Sequence, residues 1–230
     1  ISNEELFNIW KIPFVEALEP TTTISDNFNR ADNADMSVGA PFSWTDVDGD
    51  WQIVSNQAKM VTSAGTSRAA RAESDLSTDD HYAFCDVISL DTPGGGQAYN
   101  AGPAARFSAL EETFYTGFLY KFNGDFSVIR KVVTGTETSL TTAISRTFVS
   151  GDDMKIQADG STIKDFYNGV EADSITDTSI TGNLRTGLYG YNNTGGADTI
   201  IVDNFEAADL VAVSFFQHSG PIRIYRRNKR

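Results

Sequence analysis

The sequence predicts an all-β fold, a two-layer sandwich or a barrel assembled from hairpins. Four Asx-Gly pairs, Asp48-Gly49, Asn123-Gly124, Asp159-Gly160 and Asn168-Gly169, separate stretches of alternating apolar and polar residues. Such a pair between alternating stretches is the strongest short-range hairpin signal. Beyond the first twenty residues no stretch shows the apolar period of an amphipathic helix. About a dozen short strand-like runs with local turns then fit a sandwich or barrel, and no propeller-period repeat is visible.

In chain order, residues 42–47 and 51–54 flank Asp48-Gly49 as a first hairpin. Residues 81–90 alternate, with Tyr82, Phe84, Ile88 and Leu90 on one face. Residues 114–122 and 125–133 flank Asn123-Gly124, and residues 154–158, 162–166 and 170–172 form a meander about the other two pairs. Residues 185–191 and 199–207 complete the set. The longest apolar run, 210–216, suits one buried strand and falls well short of the ~20 residues of a membrane span.

The two ends differ from the body. Of a net charge of −13, residues 1–20 carry −3, the basic tail 221–230 carries +5, and the middle carries −15. An acidic chain of this kind is not a general nucleic-acid binder, whose footprint is basic. Ser2 and Glu5 form a capping box, Leu6, Phe7 and Trp10 follow at helical spacing, and Pro13 stops the helix. So short a helix must dock, on its own chain or on a partner. Glu4 and Glu5 sit where a signal peptide needs positive charge, so trimming, or a longer parent chain, is expected. Arg226 and Arg227 in the tail are either solvated or set against an acidic neighbour. The expected organisation is a docking arm at 1–20, a sandwich at 21–209, and a C-terminal strand and basic tail at 210–230.

A family resemblance rests on ordered motifs. Asp26-Asn27-Phe28-Asn29-Arg30 opens the β region and Val202-Asp203-Asn204-Phe205-Glu206 closes it. Between them lie Trp44 and Asp48-Gly49-Asp50-Trp51, the Gly102-Pro103-Ala104-Ala105-Arg106 strand, the Asp159-Gly160/Asn168-Gly169 meander, and Arg185-Thr186-Gly187-Leu188-Tyr189-Gly190-Tyr191. Over residues 24–208 this order resembles the concanavalin A-like lectin/glucanase superfamily, in its laminin G-like form found in phage structural and bacterial surface proteins. The resemblance implies a jelly roll of two antiparallel sheets, one concave, with the Asp-Asn-Phe strands paired at the termini. It also implies a structural calcium, with Asp26 and Asp203 as ligands, and no other cofactor.

Chemistry is sparse in this sequence. The Glu-x-Asp-x-x-Glu strand of the related glucanases is missing, and adjacent Glu111 and Glu112 would face opposite ways in a strand. His81 and His218 are the only histidines, and His81 is expected at a surface or edge. Cys85 reads as a small inter-sheet residue, and Gly94-Gly95-Gly96 as a turn. Asp46, Asp48 and Asp50 begin like a calcium loop, but Trp51 and Gln57 stand where that loop needs Gly and Glu, leaving a turn. Asn192-Asn193-Thr194 is a sequon read as a loop. For a glycan, the stacking or hydrogen-bonding candidates are Trp44, Trp51, Arg106, Tyr115, Tyr120 and Tyr191; each stands open between that role and the core. Arg106, between small residues, is the least core-like.

The reading at this level is a non-enzymatic display module, a capsid decoration, head-fibre or tail protein on a virion surface. Its arms, through Leu6, Phe7, Trp10, Arg226 and Arg227, would anchor it to protein neighbours while the sandwich meets host glycans. The alternative is a secreted carbohydrate-binding module of a bacterial glycan-degrading or adhesion protein, and a third reading is a glycosidase with an unrecognised carboxylate pair.

Overall fold

The computed structural model describes residues 22–61, 66–90, 98–192 and 200–210, and these form strands and turns without a helix. The expected helical arm, the basic tail and the Gly94-Gly95-Gly96 turn lie outside the described residues. Among these described residues, sixteen antiparallel strands form two sheets. Sheet I runs β14 (Val170–Thr176), β13 (Thr162–Tyr167), β12 (Asp152–Asp159), β6 (His81–Ser89), β16 (Ile201–Asp209), β4 (Gln57–Met60), β3 (Trp51–Val54), with β1 (Thr23–Asp26) also on β16. Sheet II runs β10 (Thr136–Ser139), β9 (Asp125–Val133), β8 (Phe114–Lys121), β7 (Tyr99–Phe107), β15 (Arg185–Asn192), β5 (Thr66–Ala72), β2 (Trp44–Asp48), with β11 (Ile144–Arg146) also on β9. The first and last strands pair as expected, Asp26 standing opposite Phe205.

Turn chemistry explains most of this path. Asn168 and Gly169 both take positive φ, 50° and 72°, as the tight turn between β13 and β14 demands. Asn123-Gly124 and Asp159-Gly160 likewise join β8 to β9 and β12 to β13. Asp48-Gly49 does not make the expected hairpin: β2 pairs with β5 in sheet II, while β3 pairs with β4 in sheet I. Gly49, at φ 77°, carries the chain between sheets, and a Cβ there would lie 1.4 Å from Arg68 Cδ. The true hairpin turns on Ser55 and Asn56, at φ 53° and 64°.

The inter-sheet core gathers Trp44, Trp51, Phe28, Tyr99, Tyr115, Leu119, Ile156 and Phe205, with Trp44 and Phe205 rings 5.0 Å apart. The phase of β6 is the reverse of its aromatic pattern. His81, Ala83, Cys85 and Val87 are buried inward, so Tyr82 and Phe84 face outward, because large side chains of sheet II already fill the space opposite. Cys85 is fully buried, in the inter-sheet place expected for it.

Arg106 is also inside, at 1% exposure. A bulge in β7 opposite Arg185 and Gly187, with Arg106 at φ 50°, turns the side chain from the outer face into the interior. Its guanidinium donates to the carbonyls of Asp79 (2.7 Å), Ile180 (3.1 Å) and Gly160 (2.8 Å) and to Asp80 Oδ1 (3.0 Å). His81 is buried rather than at an edge, and its Nε2 accepts the Arg106 amide at 2.9 Å. Burial and the nearby Arg106 charge outweigh its favourable contacts and hold His81 below its usual pKa.

A second buried charge is treated differently. Asp165 on β13 is fully enclosed, and neither carboxylate oxygen has a hydrogen-bond partner. Gly117 on β8 leaves it room, since a Cβ there would stand 2.9 Å from Asp165 Cβ. Burial, then the Asp173 charge, pushes Asp165 up to about 6.

Candidate functional site

The outer face of sheet II is laid out by alternation. Tyr99, Ala101, Leu119 and Leu188 point into the inter-sheet core, so Asn100, Tyr120, Tyr189 and Tyr191 point outward. Register then sets them in rows. Tyr120 on β8 and Tyr191 on β15 flank Asn100 on β7, and Phe126 on β9 and Ser67 on β5 continue that row. The adjacent row carries Phe118, Gly102, Tyr189 and Ala69.

The second row forms an apolar floor. Phe107, Phe114, Phe118, Val128, Val132 and Tyr189 make a second buried cluster, separate from the inter-sheet core. Arg130 lies across it, 5.1 Å from the Phe118 centroid and 5.8 Å from that of Tyr120. Tyr120, Phe122, Phe126 and Tyr191 keep part of their surfaces open. Phe122 and Tyr120 stack at 6.1 Å. Asn100, between the two tyrosines, is 1% exposed, and its amide oxygen has no partner.

Carboxylates gather beside Tyr189. Glu137 on β10 binds Arg130 at 2.6 Å and accepts the Tyr189 hydroxyl at 3.3 Å. Asp48 accepts the Ser67 hydroxyl at 3.3 Å. Glu112 lies in the loop between β7 and β8, not in a strand, so the opposite-face objection does not apply to it. Gly135 donates its amide to the Glu112 carbonyl at 2.9 Å, while Glu112 Oε1 is buried without a partner. Burial, then the charges of Asp48 and Glu137, pushes Glu112 up to about 7. Burial, then Glu137 and Glu112, raises the Tyr189 phenol far above its usual range. A carboxyl poised near neutrality beside two others can donate or accept a proton, and aromatic faces with amide and carboxylate acceptors suit sugar C–H surfaces and hydroxyls.

The predicted residues divide by burial. Tyr120 and Tyr191 stand in the outer row. Trp44, Trp51, Arg106 and Tyr115 are core residues and offer no stacking face; Tyr115 instead donates to Asp177 at 2.6 Å. Asn100, Glu112, Glu137 and Tyr189 were not foreseen as a group, because only register and the loop bring them together.

The implied calcium does not fit its residues. Asp26 Oδ1 accepts Arg30 Nη1 (2.6 Å) and the Phe28 amide (2.8 Å), and Oδ2 accepts Trp44 Nε1 (2.9 Å). A guanidinium thus holds the carboxylate that a cation would need, while Asp203 is engaged by the Asn204 amide and Gln57. Among the described residues no group of three or more His, Cys, Asp or Glu is set to hold a metal. Asp46, pushed up to about 7 by burial and Asp50, accepts the Trp51 amide within its turn. A groove of about 550 Å³ on sheet I is lined by Asn27, Arg30, Pro41, Phe84, Asn204 and Glu206, and two of its polar side chains are already paired, Glu206 accepting from Tyr82 (2.5 Å) and Asn204 donating to Asp86 (2.7 Å).

No protein-family profile and no curated protein sequence matches the chain. Solved structures do. A carbohydrate-binding module, CBM66 of Bacillus subtilis, matches at TM-score 0.52 and 15% identity, over 73% of this chain and 92% of that one. A β-glucanase of Bacillus licheniformis matches at TM-score 0.53 and 8% identity, over 82% and 98%. The GH43 protein BlXynB of Bacillus licheniformis matches at TM-score 0.56 and 14% identity, over 81% of this chain and 39% of that one. Glucanases among these neighbours overturn the expectation of a non-enzyme, for the fold is compatible with catalysis as well as with binding. The chain folds as a concanavalin A-like jelly roll of two antiparallel sheets.

Proposed function

We propose that this protein binds a carbohydrate chain along the outer face of sheet II. The observation that carries the reading is the Tyr120–Asn100–Tyr191 row, with its unpartnered amide oxygen between two half-open aromatic rings. The match to a carbohydrate-binding module supports it, as does the match to a 39% portion of a longer GH43 chain. Such a module works outside the cell, where polysaccharides are. The virion-display reading rests on terminal arms outside the described residues, and no described residue favours it. The test is titration calorimetry against a polysaccharide panel. Tyr120→Ala and Tyr191→Ala should each weaken binding about tenfold, some 1.4 kcal/mol. Tyr82→Ala, on sheet I, should leave it intact. Absence of binding across the panel, or binding by both variants as tight as that of wild type, would overturn the reading.

Glu112 favours a second reading, glycoside hydrolysis. A carboxyl pushed up to about 7 by burial and by the charges of Asp48 and Glu137 suits a site in which one group donates to a leaving oxygen and another attacks or activates water. Release of reducing ends from β-glucans, lost in Glu112→Gln and Glu137→Gln, would establish it. Wild-type inactivity across the panel would leave binding alone.

A further inference from the structure

The charges on this face narrow the class of glycan, an inference that rests on the binding reading above. Each guanidinium of sheet II near the site already has a partner, with Arg130 Nε the one buried nitrogen among them left without an acceptor. Arg130 binds Glu137; Arg71 binds Glu73 and the Ser108 carbonyl; Arg185 binds Glu73 and Asp75. Arg68 donates to the Val61 and Ser67 carbonyls. The carboxylates are less well served. Among the described residues Asp48 meets a hydroxyl and no cation, and Glu112 Oε1 meets nothing.

Carboxylates alone do not make a site. Asn100 supplies an independent sign: an almost wholly buried amide on the same outer face, between two half-open tyrosines, whose oxygen lacks a donor. Buried polar atoms are almost always partnered, so a donor belongs there. The face therefore presents two buried acceptors without donors, Glu112 Oε1 and Asn100 Oδ1, and one carboxylate, Asp48, that meets no cation among the described residues.

We propose that the site selects glycans bearing a protonated amine, a 2-amino sugar backbone, over the same backbone N-acetylated, and rejects uronates. An ammonium brings three donors and the charge that Asp48 and Glu112 lack, and charge-assisted hydrogen bonds are about twice as strong as neutral ones. N-acetylation removes that charge and leaves one amide donor. A uronate carboxylate would be pressed against unpaired carboxylates with each nearby guanidinium already taken.

The test is calorimetry at pH 6 and low salt with chitosan, chitin and galacturonate oligosaccharides, alongside neutral β-glucans. Wild type should hold chitosan about tenfold tighter than chitin and show no heat with galacturonate. Asp48→Asn and Glu112→Gln, checked for unchanged melting, should bring chitosan and chitin together. Asp159→Asn, an exposed carboxylate on sheet I, should keep the preference, which separates local recognition from the net negative charge. Galacturonate binding as tightly as chitosan would overturn the proposal, as would a preference untouched by the two site variants or erased equally by Asp159→Asn. Binding of neutral glucans without any charge preference would remove this proposal alone. Binding of nothing would remove the glycan reading beneath it.

Discussion

Two polar regions of this sandwich receive opposite treatment. Around Arg106 the guanidinium nitrogens find carbonyl or carboxylate partners from three separate stretches of chain, and His81 accepts from the Arg106 amide. On the outer face of sheet II, Glu112 Oε1 and Asn100 Oδ1 are equally hidden from water but left without partners. A buried polar group satisfied by its own chain stabilises the fold, while an unsatisfied one costs stability and awaits something from outside. Asp165 is the instructive third case, unpartnered like the site but walled inside the core.

The contrast is broken most directly at Arg106. Arg106→Ala takes the donor from the Asp79, Gly160 and Ile180 carbonyls and empties a large buried side-chain volume, and it should cost about 3–5 kcal/mol in urea unfolding; a loss below about 1 kcal/mol would erase the distinction. Next is Asp165→Asn. Because folding raises this carboxyl to about 6, the native state binds the extra proton. Wild-type stability should therefore fall as pH rises from about 4 to about 6, and the variant should gain on it by about 2 kcal/mol at pH 7 and by nothing below pH 4. A constant gap across pH would show that Asp165 keeps its ordinary titration. Glu112→Gln follows the same sign over a window ending near 7, with a gain under about 1 kcal/mol because the group is partly solvated. Thermal melts at pH 4.5 and pH 8 read it. Smallest is Tyr120→Ala, which should change stability by less than about 0.5 kcal/mol, since its ring is half open. A larger loss would make Tyr120 part of the scaffold.

The hairpins at Asn123-Gly124, Asp159-Gly160 and Asn168-Gly169 were legible because Gly and Asn declare positive φ in the sequence. Ser55-Asn56 hid an equally tight turn because Ser rarely takes positive φ and no Gly follows the Asn. Asp48-Gly49 misled because a positive-φ glycine also serves a passage between sheets. Alternation revealed strands but not which phase faces in, so Trp44, Trp51 and Tyr115 were candidates although buried, and β6 came out reversed. Arg106 could not be read at all: its direction depends on a one-residue bulge. Asn100 joins Tyr120 and Tyr191 only through register across three strands, and Glu112 through the fold of a loop, neither of which is written locally.

The pairing of β1 with β16 governs how the sandwich meets force. Thr23 stands opposite Ala208, and the ladder runs from there to Asp26 and Phe205. Tension applied where the chain enters β1 and leaves β16 therefore loads one end of that ladder and opens its hydrogen bonds in succession, like a zip, rather than shearing them together. The peeling then reaches Asp26, held by Arg30 and by the indole of Trp44. A low-force first step followed by an arrest at that clamp is the mechanical signature this arrangement implies.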